Sequence, residues 1–357
     1  MSKYMENAVK AFEKLRTKKD VTILAVESSC DETAVSVVRN GREVLSNIVA
    51  SQIDIHKKFG GVVPEVASRN HVMAISGCYK EALKEAGISE NEIDAIAVTY
   101  GAGLIGALLV GINFAKTLAY ALNLPLIAVS HVHGHISANY LSHPSLKPPF
   151  VCLMVSGGHT ALLKVNDYTK ISLIGSTVDD SVGECFDKVA RVLGLSYPGG
   201  PNIDRLAKQG QNTIKFNYHE PLKDTFNFSF SGLKTAVVNF VHNHEQVGKE
   251  FNKADVACTF QEIVTDELSE KAVKCALKEN SKTLVVAGGV GANSRLREKL
   301  NEKCEKENIT VYFPDLKYCT DNAAMIGSMA YYYLKAGMGL ADLTLTGKPN
   351  VPISIGE

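Results

Sequence analysis

PLIAVSHVHGHISANY (125–140) and, after a short polar link, FVCLMVSGGHTALLKV (150–165) decide how this chain is read. PLIAVS is apolar with β-branched residues, which predicts a buried strand. The histidines that follow open the helix leaving that strand's carboxyl end, where open α/β sheets place their ligands. His131 and His135 stand one turn apart on one helix face, with roughly 5–6 Å between their Cβ atoms. That spacing lets two imidazoles grip one metal ion. The second stretch is another apolar strand, and it stops at Ser156-Gly157-Gly158. A glycine pair there frees backbone N–H groups to point at an anion. A metal grip and an anion cradle this close in sequence point to chemistry on a phosphate-bearing substrate.

Working outward, one plan is used twice. TILAVESSCDETAVSVVRNG (22–41) predicts strand, acidic turn, strand, and EVLSNIVAS (43–51) a third strand. A helix over 64–87, a strand over 94–100, a long apolar helix over 101–123 and the strand at 125–130 follow. The second half repeats this order: strands at 150–158, 159–167 and 170–176, a helix over 177–195, a loop at SYPGGPNID (196–204), and a switch from alternation to helix over 226–241. A helix over 253–280, a buried strand entering a Gly-rich turn (283–293), a strand at 309–315 and a helix over 321–337 complete it. Duplicated α/β halves set their turns face to face across a cleft, here ESSCDET against SGGHT. The expected organisation is an N-terminal extension (1–20), a first lobe (21–149) holding the histidines, a second lobe (150–345) and a tail (346–357). The boundary lies in the Pro-rich LSHPSLKPP (141–149).

The totals exclude several classes. The chain has 357 residues, enough for two compact domains. Lys+Arg and Asp+Glu both total 38, so no bulk positive field attracts nucleic acid, and RNA binding needs a local patch or a partner. The eight cysteines form no CxxC pair and read as reduced thiols of an intracellular protein. No membrane span and no secretory signal are expected. Tyr4, Met5, Ala8, Val9, Phe12 and Leu15 form a helical stripe in the extension. Its acids Glu6, Glu13 and Asp20 favour an appended surface helix over an organelle transit peptide.

Each candidate site residue has an ordinary alternative. The histidines of HVHGH also serve as polar helix-start residues. A zinc protease helix needs HExxH, and Val132 stands where its glutamate belongs. Two histidines leave a metal short of ligands, and Asp321 is the best third, although a residue opening a helix is commonly a plain N-cap. Asp31 and Glu32 lie in an acidic turn where half one faces the cradle of half two. A carboxylate there can hold a metal, a water or an attacking amine. Gly101-Ala102-Gly103-Leu104-Ile105-Gly106 matches GxGxxG, but the next strand ends in Ser130 and not in an acid, so the glycines read as close helix packing. In GGVGAN (288–293) the glycines admit a flat ring or ribose, and the Asn293 amide both donates and accepts. Asp187, and Gly200 with Asp204, add carboxylates of the kind that anchor ribose hydroxyls, although helix acids such as Asp187 usually pair on the surface. Lys57-Lys58, Arg295, Arg297 and Lys299 read as solvated charges.

Taken in order, ESSCDET, GAGLIGALLVG, SHVHGH, VSGGHT, GECFDK, YPGGP, FSFSGLKTA, AGGVGAN and CTDNAAMI resemble the TsaD family, the tRNA N6-adenosine threonylcarbamoyltransferases, formerly O-sialoglycoprotein endopeptidases. The resemblance runs from Ile23 to Leu340. It implies an α/β, duplicated actin/Hsp70/sugar-kinase-like (ASKHA) fold with two lobes around a nucleotide cleft. It implies an acyltransferase that moves threonylcarbamoyl from L-threonylcarbamoyl-AMP to N6 of the adenosine next to the anticodon (position 37), in tRNAs reading codons that begin with A. The products are N6-threonylcarbamoyladenosine and AMP. His131, His135 and Asp321 match the family's ligands for one divalent metal, Fe2+ in most descriptions and Zn2+ in some. Met154, Val155, Ser156, Gly157, Gly158, Asp187, Gly200, Asp204 and Asn293 match its substrate positions, and Asp31 and Glu32 its acidic pair near the reaction centre. Met154 and His159 replace a tyrosine and an asparagine of the archaeal and eukaryotic cytosolic branch, so the chain looks bacterial or organellar. A smaller paralogous subunit (TsaB-like) and a P-loop ATPase (TsaE-like) are the implied partners. The cytoplasm is the implied location, or an organellar matrix if the extension targets. A metal-dependent endopeptidase, an ASKHA-type ATPase and a non-catalytic partner subunit are the rival readings.

Overall fold

The alternating pattern resolves into two sheets of one design in a computed structural model that describes residues 2–219 and 222–356. After helix α1 (Lys3–Thr17), strands β1 (Thr22–Glu27), β2 (Glu32–Arg39) and β3 (Glu43–Ser51) form an antiparallel meander. The short α2 (Ile53–His56) and the long α3 (Pro64–Ala86) lead to β4 (Ala95–Gly101), α4 (Ile105–Leu122), β5 (Leu126–Ser130) and α5 (His131–Ser142). The second half repeats the meander with β6 (Phe150–Val155), β7 (Thr160–Asp167) and β8 (Lys170–Ser176). Helices α6 (Val182–Val192), α7 (Gly199–Ala207), α8 (Ser231–Gln246) and α9 (Lys253–Lys278) precede β9 (Thr283–Ala287), α10 (Ser294–Lys306), β10 (Thr310–Tyr312), α11 (Leu316–Cys319), α12 (Ala323–Ala336) and β11 (Leu340–Ala341). The sheet orders are β11-β5-β4-β1-β2-β3 and β10-β9-β6-β7-β8. β1 and β6 are buried along their whole length, as parallel neighbours covered by helices on both faces require.

Each half ends by reaching into the other. α5 leaves the first sheet and packs on β6 and β9 of the second, while α12 packs on β1, β2 and β5 of the first and lies along α5. This corrects the expected second lobe over 150–345: α12 and β11, which pairs antiparallel with β5, belong to the first sheet. The apolar faces of the two helices need cover that their own sheets do not supply. Arg42 fastens the linker by donating to the Tyr140, His143 and Leu146 carbonyls.

Three further expectations change. SYPGGPNID is not all loop: α7 starts at Gly199 after Pro198. The glycine is there for packing, since a Cβ at Gly199 would meet the Asp187 Cα at 2.6 Å. The helix expected from 177 starts at Val182, because Asp179 is spent accepting from the Phe230 and Ser231 amides. α4 is long and apolar enough by length and composition to cross a membrane. It packs on α3 and β4 here, with Ala107, Leu108, Gly111, Ile112, Ala115 and Ala119 buried. α1 is docked, burying Tyr4, Ala8, Phe12 and Leu15 and accepting Lys335 at its last carbonyls.

Candidate functional site

The β5–α5 junction places His131 and His135 where expected, at the first turns of the helix. Asp321 comes from the other half, just ahead of α12. It is not the cap of that helix: the Asn322 side chain accepts from Met325 N–H and takes that role, leaving the Asp321 carboxylate free. Oδ1 of Asp321 lies 3.4 Å from His131 Nε2 and 3.1 Å from His135 Nε2, and the two Nε2 atoms are 3.1 Å apart. Three ligand atoms within 4.8 Å of one another are close enough to hold one cation.

The support beneath this grip was not read from the sequence. Glu27, wholly buried at the end of β1, accepts from His131 Nδ1 at 3.1 Å, from Thr99 Oγ1 at 2.6 Å and from Ser29 N–H at 2.5 Å. A carboxylate on Nδ1 fixes the tautomer that offers Nε2 to a metal. Burial opposes charge on His131, but the Asp321 and Glu27 carboxylates outweigh it and hold the imidazole up to about 9. Burial likewise opposes charge on Asp321, but His131 and His135 bring it down to about 2. The set therefore favours a positive charge at its centre, which fits a divalent ion. His135 has no matching brace, its Nδ1 being buried without a partner among the described residues. The ESSCDET pattern puts Glu27 with Asp31 and Glu32 in one acidic turn, whereas the structure makes it the last residue of β1.

Asp31 ends the turn between β1 and β2, and Glu32 is the first residue of β2. Burial, then Asp321 and Asp31, push the Glu32 carboxyl well above the usual range. Tyr197, another residue the sequence reading passed over, reaches from the second half and donates to Asp31 Oδ2 at 3.2 Å. The GxGxxG glycines serve packing, as expected: a Cβ at Gly103 would meet the Ser29 carbonyl at 2.6 Å, and Leu104 N–H donates to the same oxygen at 2.8 Å.

The facing turn is built of backbone. Ser156 N–H donates to the His159 carbonyl at 2.8 Å, and Gly157 and Gly158 are exposed at its tip. Burial, then His131 and His135, hold the His159 imidazole down to about 4, so the turn carries a neutral ring towards the grip. α6 starts behind the turn, where a Cβ at Gly183 would meet the Ser156 carbonyl at 2.7 Å. One turn along α6, Asp187 accepts from Gly199 N–H at 2.6 Å. Gly200 has open space where a Cβ would point. Asp204 accepts from Ser294 Oγ at 2.8 Å.

Not every expected site residue presents its side chain. Met154 and Val155 are wholly buried in β6 and offer a ligand only their strand's backbone. The Asn293 amide caps α10 through Leu296 N–H and donates to Gln261 Oε1 at 2.8 Å, so both its ends are engaged. Arg295, Arg297 and Lys299 are not free charges: they pair with Glu262, the Gly291 carbonyl and Asp266 respectively.

Residues 43–328 match the family described as TsaD: tRNA N6-adenosine threonylcarbamoyltransferase. The chain belongs to the TsaD family. A curated tRNA N6-adenosine threonylcarbamoyltransferase from Clostridium perfringens is 57% identical over 333 residues, covering 92% of this chain and 97% of the relative. Proteins of the same name from Clostridium novyi and Clostridium botulinum are 54% and 53% identical, each covering 94% of this chain and 98% and 99% of the relative. Among solved structures, HypF from T. kodakarensis aligns with a TM-score of 0.60 at 14% identity, over 91% of this chain and 49% of that one. The Acidaminococcus fermentans (R)-2-hydroxyglutaryl-CoA dehydratase component A aligns with a TM-score of 0.52 at 13% identity, over 88% and 98%. These two share the duplicated ASKHA-type fold with this TsaD-family chain and nothing more is drawn from them.

Proposed function

We propose that this chain transfers the threonylcarbamoyl group from L-threonylcarbamoyl-AMP to N6 of adenosine 37 in tRNAs reading codons that begin with A, giving N6-threonylcarbamoyladenosine and AMP. The observation that carries this reading is a His–His–Asp grip beside a glycine turn, in a chain more than half identical to tRNA N6-adenosine threonylcarbamoyltransferases over nearly its whole length.

The donor is a mixed anhydride, already activated, so no covalent protein nucleophile is needed. His131, His135 and Asp321 would hold one divalent cation, iron by preference and zinc as the alternative, which would act as a Lewis acid on donor oxygens. The Gly157 and Gly158 amides at the tip of the turn bind the donor's phosphate or carbonyl oxygen and stabilise charge developing there, while Ser156 N–H holds the turn closed on the His159 carbonyl. Asp187, Gly200 and Asp204 flank the nucleoside, and Asn293 shapes the glycine-rich turn after β9 by capping α10. An aromatic N6 amine is a poor nucleophile, and Asp31 takes its proton. Burial, then Asp321 and Asp31, push the Glu32 carboxyl up from the usual carboxylate range.

The balanced overall charge supports a partner in tRNA capture, a smaller paralogous subunit with a P-loop ATPase, and the cytoplasm is the proposed location. The docked α1 supports a retained helix over a cleaved targeting segment. The test is mass spectrometry of nucleosides from ANN-decoding tRNA incubated with metal-loaded protein and threonylcarbamoyl-AMP, with and without the partners. Modified adenosine that vanishes in His131→Ala supports the reading. No product with partners present refutes it.

A further inference from the structure

Behind the Asp31–Glu32 turn, a line of buried polar side chains leads away from the reaction centre. Thr33, His56 and His71 have no exposed surface and Gln52 is 4% exposed. Their hydrogen bonds run in one direction. Val63 N–H donates to His56 Nδ1 at 3.3 Å, and His56 Nε2–H donates to Gln52 Oε1 at 3.3 Å. The Gln52 amide nitrogen stands 3.5 Å from His71 Nδ1 and donates to the Ala67 carbonyl at 3.3 Å. Thr33 Oγ1–H donates to His71 Nδ1 at 2.7 Å, and His71 Nε2–H donates to the Cys30 carbonyl at 2.9 Å. Gln52 N–H takes the next carbonyl, that of Asp31, at 3.0 Å. Only the Nε2–H tautomer of each histidine satisfies this chain, because Val63 N–H and the Cys30 carbonyl cannot exchange roles. Burial also lowers His71, in keeping with a neutral ring.

Each end of the line meets a side chain from the second half. At one end Tyr197 donates to Asp31 Oδ2. At the other, Arg191 Nη2 donates at 2.7 Å to the carbonyl of Gly60, in the glycine loop that His56 anchors through Val63 N–H and Gly61 N–H. Gly60 has φ +70, a left-handed conformation that suits glycine. Satisfied buried polar networks of this kind rigidify what they hold.

We infer that Gln52, His56 and His71 are positioning residues for the transfer: they set the Asp31–Glu32 turn and tie it to the glycine loop gripped by Arg191, so that the alignment of Asp31 depends on that contact between the halves. Their contacts with the turn are to the Cys30 and Asp31 backbone carbonyls and to Thr33, so they act through the turn's backbone. The inference rests on Asp31 being the proton acceptor.

The test measures kcat, KM for threonylcarbamoyl-AMP, bound metal and Tm for His71→Phe, Thr33→Val, Thr33→Ser and Arg191→Met in the metal-loaded enzyme. His71→Phe and Thr33→Val lower kcat roughly 10- to 100-fold, the scale of a misplaced catalytic group, with KM and metal content held. Thr33→Ser keeps the hydroxyl and restores turnover. The double variant His71→Phe/Thr33→Val is no slower than His71→Phe alone, and Arg191→Met slows the parent but not the His71→Phe background. Unchanged kcat in Thr33→Val, losses that multiply in the doubles, or a Thr33→Ser enzyme as slow as Thr33→Val would each overturn the inference. The threonine pair carries the test even where His71→Phe does not fold. Asp31→Asn run alongside separates the two readings: full turnover there retires Asp31 as proton acceptor, whereas the histidine and threonine variants bear on the positioning line.

Discussion

The turn after β1 and the turn after β6 occupy the same place in the two halves, yet they are built from opposite materials. The first, Ser28 to Asp31, is buried or nearly so and carries carboxylates, with Glu27 beneath it and Glu32 beyond it. The second, Ser156 to His159, shows glycine backbone at its tip. Both are backed by a helix that approaches through glycine: Gly111 N–H of α4 donates to Ser28 Oγ, and Gly183 N–H of α6 donates to the Ser156 carbonyl. One backbone plan thus supplies full charges on one side of the cleft and amide dipoles on the other. Charges suit a cation and a proton; dipoles suit developing negative charge and need no counter-charge of their own.

This contrast can be broken from either side, and the charged side should fail harder. His131→Ala and Asp321→Ala each remove a ligand; bound metal falls away by elemental analysis and turnover drops to background. Metal retained in either variant would dismantle the charged half of the comparison. Asp31→Asn keeps the metal but loses the proton acceptor, and turnover falls roughly 10²–10⁴-fold, the usual range for general-base removal. Near-normal turnover with metal bound would move proton transfer elsewhere. Glu27→Gln leaves the ligands in place and removes the brace on His131; metal affinity falls about 10–100-fold in a chelator competition. Equal affinity would mean that packing alone orients the ring.

The glycine side should answer in stability first. Gly288 has φ +94, and a Cβ there would meet the Val155 carbonyl at 2.4 Å. Gly288→Ala forces that loop off the Ser156 turn at a cost of about 1–3 kcal/mol, seen as a lower midpoint in urea unfolding. Metal binding should survive, because His131, His135 and Asp321 all lie outside the Gly288 loop. A variant that also lost metal would show that the two turns are not separable.

Much of this was legible in the residues. The meander-then-alternation plan repeats because strands with period-two or continuous apolar character and helices with period 3.6 cannot exchange roles. β3 and β8 fall where their patterns put them, and the i, i+4 histidines land on one helix face. Other features were hidden for a physical reason. Asp321 looked like a helix cap until the neighbouring Asn322 took that bond, a choice of one residue that capping preferences do not distinguish. Asn293 looked like a ligand group, but its amide closes α10. Met154 and Val155 matched a binding motif while pointing into the core, because a motif records positions and not side-chain directions. α7 was masked by glycine and proline, which punctuate loops and also begin helices.

The sequence by itself determined the local elements, their duplication and the identity of the chemistry-bearing side chains, because periodicity and spacing are properties of neighbours along the chain. Tertiary structure alone decided that α5 and α12 exchange sheets, which brings Asp321 to histidines 190 and 186 positions away. It also decided that Glu27 lies under His131, that Tyr197 meets Asp31 across the cleft and that His56 and His71 stand behind the acidic turn. Those contacts follow from how two apolar surfaces find cover, and burial is settled only when both halves are present.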